Sequence, residues 1–94
     1  MQITAKLYAT FRVITGEKTI IIDAPEGTTV GQAVQMLVAM RPALKPHWFD
    51  QNGELYSHVH VFLNGEDVMT LPGALESVVH SGTELGFFPP VAGG

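Results

Sequence analysis

Thr29-Val30-Gly31-Gln32-Ala33-Val34-Gln35-Met36-Leu37-Val38-Ala39-Met40 carries a helical signature from end to end. Thr29 and Gln32 have the spacing of a capping box, in which a hydroxyl and an amide close the helix N-terminus reciprocally. Val30, Ala33, Val34, Leu37, Val38 and Met40 then recur at helical spacing. Pro42 marks the stop, because the residue before a proline is pushed out of helical geometry. The pattern predicts one helix of about 11–12 residues, an average length. Its apolar stripe needs a surface to cover, and the flanking segments read as strands.

On the N-terminal side, Ile3, Ala5 and Leu7 alternate with Gln2, Thr4, Lys6 and Tyr8, the period of a half-buried strand with Tyr8 on the polar face. Thr15-Gly16-Glu17 is turn chemistry, and the β-branched run Lys18 to Ile22 reads as the second strand of a hairpin. On the C-terminal side, Pro42, Pro46, Asn52 and Gly53 break up the segment 41–57. There, Ala43-Leu44 and His47-Trp48-Phe49 suit one helical turn over the core, with Trp48 and Phe49 as a small satellite cluster. Residues 51–54 suit a tight turn. His58 to Leu63 alternates again, and Asn64-Gly65 is a strong hairpin signal. A short return strand is expected near Asp67 to Met69, a loop or helical turn over 71–79, and a last strand from Leu85 to Phe88.

The order is therefore strand, strand, helix, strand, short strand, turn, strand. One main helix covers one face of a mixed sheet of four to five strands. The expected class is α+β, with the first and last strands adjacent in the middle, a β-grasp, ubiquitin-like architecture. The domain is expected over residues 1–88, with an extended, flexible tail over 89–94.

The composition narrows the function. The chain has 94 residues and no cysteine, which excludes disulfides, thiolate metal sites and a cysteine nucleophile. Ninety-four residues hold one small core, without room for separate cofactor and substrate domains. Charged residues are 15%, thin for a soluble domain, so an apolar patch is expected to remain for a partner. Five Lys and Arg against nine Asp and Glu, a net charge of −4, make a poor footprint for nucleic acid and suit a basic protein partner. No leader pattern or membrane-length apolar run is present, so a cytoplasmic location is expected and neither membrane nor nucleic acid is a predicted partner.

The tail carries the sharpest signal. The last strand runs into Phe87-Phe88-Pro89-Pro90-Val91-Ala92-Gly93-Gly94. Alternation puts Phe87 in the core and Phe88 outward, on the face that Tyr8 shares if the first and last strands pair. Gly86 is outward too, as a bulge or as clearance for another backbone. The two prolines favour an extended exit, and six residues span about 20 Å. Gly93 and Gly94 have no Cβ, so a narrow channel admits them and the terminal carboxylate is open to attack. A free carboxylate is inert until ATP converts it to an acyl-adenylate. The chain has no phosphate-binding loop of its own.

An element order of this kind ending in Phe-Phe-Pro-Pro-Val-Ala-Gly-Gly, with Ser81-Gly82-Thr83-Glu84-Leu85 before it, resembles the MoaD/ThiS family of sulfur carriers, and its MoaD branch most. The resemblance covers nearly the whole chain. It implies that an E1-like adenylating enzyme of the MoeB type activates Gly94, that a sulfur donor turns it into a thiocarboxylate, and that a large subunit of the MoaE type uses the sulfur to build the dithiolene of molybdopterin. On this reading the chain is the non-catalytic small subunit of a molybdopterin synthase. The chain itself binds no cofactor, ATP being used by the activating partner. Gly94 bears the sulfur, Gly93 is its slender neighbour, and Tyr8, Phe88, Pro89, Pro90, Val91 and Ala92 meet the partners. The alternatives are a carrier for tRNA thiolation, thiamin or cysteine synthesis, or a ubiquitin-like modifier joined to lysines through Gly94. Gly82-Thr83 departs from the Gly-Asp common in the family, at a strand entry where chemistry is little affected. The long 41–57 segment weighs against the thiamin carriers.

Other constellations are weaker. His58 and His60 share an expected strand face, but two histidines lack a third ligand and read as solvent-facing, so no metal site is predicted. Ser57-His58 and His80-Ser81 are adjacent pairs with no orienting acid. Lys6, Lys18 and Lys45 read as ordinary surface lysines.

Overall fold

The computed structural model describes residues 1–90. Strand β1 (Gln2–Leu7) buries Ile3, Ala5 and Leu7 completely, as its alternation requires. Its antiparallel partner β2 (Thr19–Asp23) buries Ile20 and Ile22 on the same face. The link between them is not the simple turn of a hairpin. It contains a helix, α1 (Ala9–Thr15), that the reading of strands and turns passed over. Ala9 takes a left-handed φ of 51°, which stops the strand after Tyr8. Phe11 and Ile14, three residues apart, turn one face of α1 to the core, and Gly16 at φ 74° ends it.

Helix α2 (Val30–Met40) matches its expected span and caps. The Gln32 amide N–H donates to Thr29 Oγ1 at 3.2 Å, and the Thr29 N–H donates to Gln32 Oε1 at 3.0 Å. Val30, Ala33, Val34, Leu37 and Val38 are buried against the sheet. Past Met40, a 3-10 turn (Pro42–Leu44) and the short α3 (Lys45–Trp48) lie over the core. Trp48 is fully buried, stacked on Phe87 at 4.7 Å and edge-on to Phe11 at 5.4 Å. The expected satellite cluster is therefore part of the main core: α1 and α3 together cap the end of the sheet that α2 leaves open.

Strand β3 (His60–Leu63) starts two residues later than expected, because a turn from Tyr56 to Val59 takes up His58. His58 stacks on Tyr56 instead of sharing a strand face with His60. Among the described residues no group of three His, Cys, Asp or Glu is placed to hold a metal. Asn64 (φ 48°) and Gly65 (φ 87°) both take positive φ and make the hairpin turn to β4 (Glu66–Asp67). Residues 68–70 leave the strand as a 3-10 turn, which Asp67 caps by accepting the Met69 N–H. A further 3-10 turn (Ala74–Glu76) precedes β5 (Glu84–Phe88).

The sheet order is β2-β1-β5-β3-β4, with β1 and β5 parallel at the centre. The fold is a β-grasp with a ubiquitin-like arrangement, as the element order predicted. No helix among the described residues is long and apolar enough to cross a membrane.

Candidate functional site

Strand β5 alternates as its sequence demands. Leu85 and Phe87 are fully buried beneath α2, α3 and α1, while Gly86 and Phe88 face away from the helices. The register places Gly86 between Lys6 of β1 and Phe62 of β3. The ladder is regular through Gly86, so the bulge is ruled out. The glycine serves clearance, and its neighbours show for what. A Cβ built there meets Phe88 Cε2 at 3.3 Å, Tyr8 Cε2 at 3.6 Å and Phe62 Cβ at 3.8 Å. Gly86 is the floor beneath three aromatic side chains.

Tyr8 and Phe88 lie parallel over that floor, ring centroids 4.2 Å apart and planes 4° apart. Phe62 meets Phe88 edge-on at 5.1 Å. Tyr8 is held from both sides of the chain: its N–H donates to the Phe87 carbonyl and its own carbonyl accepts from the Phe11 N–H. The left-handed turn at Ala9 thus presents the ring at the end of β1, level with the end of β5. Pro89 continues the wall. These residues, with His60, Gly65 and Glu84, line an open concavity of about 600 Å³. Three half-buried aromatic rings gathered on the uncovered face of a sheet form the kind of surface that a partner protein covers.

Polar groups fix one end of the concavity. Lys6 Nζ lies 2.7 Å from Glu84 Oε1, and this hydrogen-bonded carboxylate raises the lysine above its ordinary value. Asn64 holds the entry of β5 by two bonds: its side-chain oxygen accepts the Glu84 N–H, and its own N–H donates to the Glu84 carbonyl, both at 2.9 Å.

Of the residues singled out in the sequence, Tyr8, Phe88 and Pro89 come together here. Pro90 follows, exposed. Val91, Ala92, Gly93 and Gly94 lie outside the described residues. Phe62, Gly86 and Glu84 are the members that reading the sequence assigned no firm role. The signal for Phe62 was present: the Asn64-Gly65 turn fixes the β3 face, and once β3 and β5 pair, Phe62 falls beside Gly86.

Comparison with known proteins follows the same lines. The model of the ThiS family matches residues 5–94. The chain is 40% identical to small archaeal modifier protein 1 of Haloferax volcanii over 89 residues, 95% of this chain and 97% of that one. The crystal structure of that protein superposes with a TM-score of 0.90, at 38% identity, over 100% of both chains. Small archaeal modifier protein 3 of the same organism is 34% identical over 94 residues, 100% of each chain. A chain of the BexX/CysO complex from Amycolatopsis orientalis aligns with a TM-score of 0.76 at 29% identity, over 98% of this chain and 99% of that one.

Proposed function

The chain belongs to the ThiS family, and from that membership we propose that it is a ubiquitin-like carrier whose Gly94 carboxylate is activated by a partner and then gives up sulfur or joins a lysine. The observation that carries the proposal is the aromatic groove of Tyr8, Phe62 and Phe88 at the point where the chain leaves β5. It gives an adenylating enzyme a surface to grip while the residues after Pro90 are led to its ATP site.

The chemistry follows from the tail. An E1-like enzyme transfers AMP from ATP to the Gly94 carboxylate and releases pyrophosphate. Sulfide delivered by a donor attacks the acyl-adenylate, the C–O bond to AMP breaks, and a thiocarboxylate is left. Alternatively a lysine amine displaces AMP and an isopeptide forms. Tyr8, Phe88, Pro89, Pro90, Val91 and Ala92 meet the partner, and Gly93 passes where a side chain would not. The reacting groups other than Gly94 come from partners, ATP included.

Identity to two archaeal modifier proteins supports the modifier reading over a dedicated molybdopterin synthase subunit. A MoaE-type large subunit is then one acceptor among several, drawing on the same thiocarboxylate. The conjugation arm has a practical test. Arg41 and Lys45 both precede proline and resist trypsin, so cleavage after Lys18 leaves residues 19–94 on any target and no short remnant. Cleavage after Glu84 leaves Leu-Gly-Phe-Phe-Pro-Pro-Val-Ala-Gly-Gly on the acceptor lysine. Finding that mass on lysines of other proteins, lost when Gly94 is deleted, supports the modifier. A proteome free of it, with thiocarboxylate still formed, restricts the chain to sulfur transfer.

A further inference from the structure

We infer that the groove takes an arginine side chain of the activating partner, its guanidinium lying against the rings of Tyr8, Phe62 and Phe88 and paired with Glu84. This deepens the docking reading and rests on it.

The lining contains the rings of Tyr8, Phe62 and Phe88, the imidazole of His60, one carboxylate, and neither lysine nor arginine. Ring faces are electronegative and attract a cation placed over them. The Glu84 side chain is about half exposed at 46%, so its carboxylate stays open to a second cation beside Lys6. The chain carries −4 overall, so a cation is drawn to it. Among cationic side chains, guanidinium is planar, weakly hydrated, stacks on aromatic rings and bonds carboxylates through paired N–H groups; an ammonium does none of these as well. Gly86 lets the rings of Tyr8 and Phe88 settle close to the strand, where even a Cβ would meet Phe88 Cε2 at 3.3 Å, so an incoming flat group lies on the solvent side of the rings.

The structure also separates this role from a merely structural one. If Glu84 serves only to hold β5 to β1, losing either member of the Lys6–Glu84 pair has one effect. If Glu84 receives a cation, Lys6 competes for it, and the two substitutions act in opposite directions.

The test titrates a blocked arginine tripeptide, and the same peptide with citrulline, into the isotope-labelled full chain and follows amide shifts. Arginine is expected to move Tyr8, Gly86 and Phe88 saturably, and citrulline, uncharged but of the same shape, about five- to tenfold more weakly. Glu84→Gln is expected to narrow that difference, the ring contribution remaining, and Lys6→Met to tighten arginine binding. Equal response to both peptides, shifts away from the groove, or weakening by Lys6→Met overturns the inference. A parallel assay of ATP-dependent pyrophosphate release by the E1-like enzyme with Phe88→Ala tests the docking reading alone. Unchanged activation sinks that reading. Lost activation with no arginine preference sinks only the arginine.

Discussion

Replacing Gly86 by valine separates docking from folding more cleanly than any other change. Gly86 has ordinary strand backbone, so a side chain brings no conformational strain. Its Cβ stands 3.3 Å from Phe88 Cε2, and two further carbons cannot be placed without swinging Phe88 away from Tyr8. Both rings are only half-buried, so they can move outward. Losing the stack costs about 0.5–1.5 kcal/mol. Exchanging glycine for a β-branched residue within a strand returns about 0.5–1 kcal/mol. The terms nearly cancel, so the melting temperature is expected to stay within about 4–8 °C of the parent. Docking has no such compensation. Filling the floor of an aromatic anchor site costs about 2 kcal/mol or more, roughly a 30-fold rise in KM for the carrier. Thermal melts and pyrophosphate release by the E1-like enzyme read the two quantities on one preparation. An unchanged KM refutes the docking role; a melting temperature lowered by well over about 10 °C shows that Gly86 is structural.

Trp48→Ala removes the fully buried indole that ties α1, α3 and β5 together, and is expected to cost about 3–5 kcal/mol in chemical denaturation. A loss under about 1 kcal/mol returns Trp48 to a satellite. Thr29→Ala breaks the capping box of α2 and is expected to lower stability by about 1 kcal/mol, read as a fall of about 4–8 °C in melting temperature. Glu17 receives two guanidinium N–H groups of Arg41, and that hydrogen bonding holds its carboxyl below the ordinary value. A depressed carboxyl contributes stability above its unfolded value and loses it as pH falls through the folded one. Glu17→Gln is therefore expected to be less stable than the parent near neutrality and equal to it in acid, by a small margin that salt reduces because both side chains are a third or more exposed. A difference that persists in acid contradicts the pairing.

Where local chemistry speaks for itself, the sequence was sufficient. The Thr29–Gln32 box, the alternation of β1 and the Asn64-Gly65 turn each fix their own residues, and the central pairing of β1 with β5 follows from them. What escaped needed tertiary partners. Helix α1 is only seven residues long, too short to stand on propensity; it exists because Phe11 finds Trp48. Trp48 looked peripheral because its segment is broken by prolines, yet the turn they make is what lays it on Phe87. At the groove, Tyr8 and Phe88 were legible from strand parity together with the pairing of the first and last strands. Phe62 and Glu84 were not, because their roles depend on the β3–β5 register and on Lys6 across the β1–β5 pair. The histidine pair dissolved for a similar reason: the turn before β3 takes His58 off the strand.

The central claim is that Gly94 carries the chemistry, and the absence of cysteine makes it directly measurable. The chain, expressed with its activating enzyme and sulfur source, is treated with a thiol alkylator under mild conditions, weighed intact and fragmented. The account predicts one adduct, on Gly94, that can only be an alkylated thiocarboxylate, absent when Gly94 is deleted. No adduct on Gly94, with the activating enzyme shown to release pyrophosphate in the same mixture, contradicts the sulfur carrier.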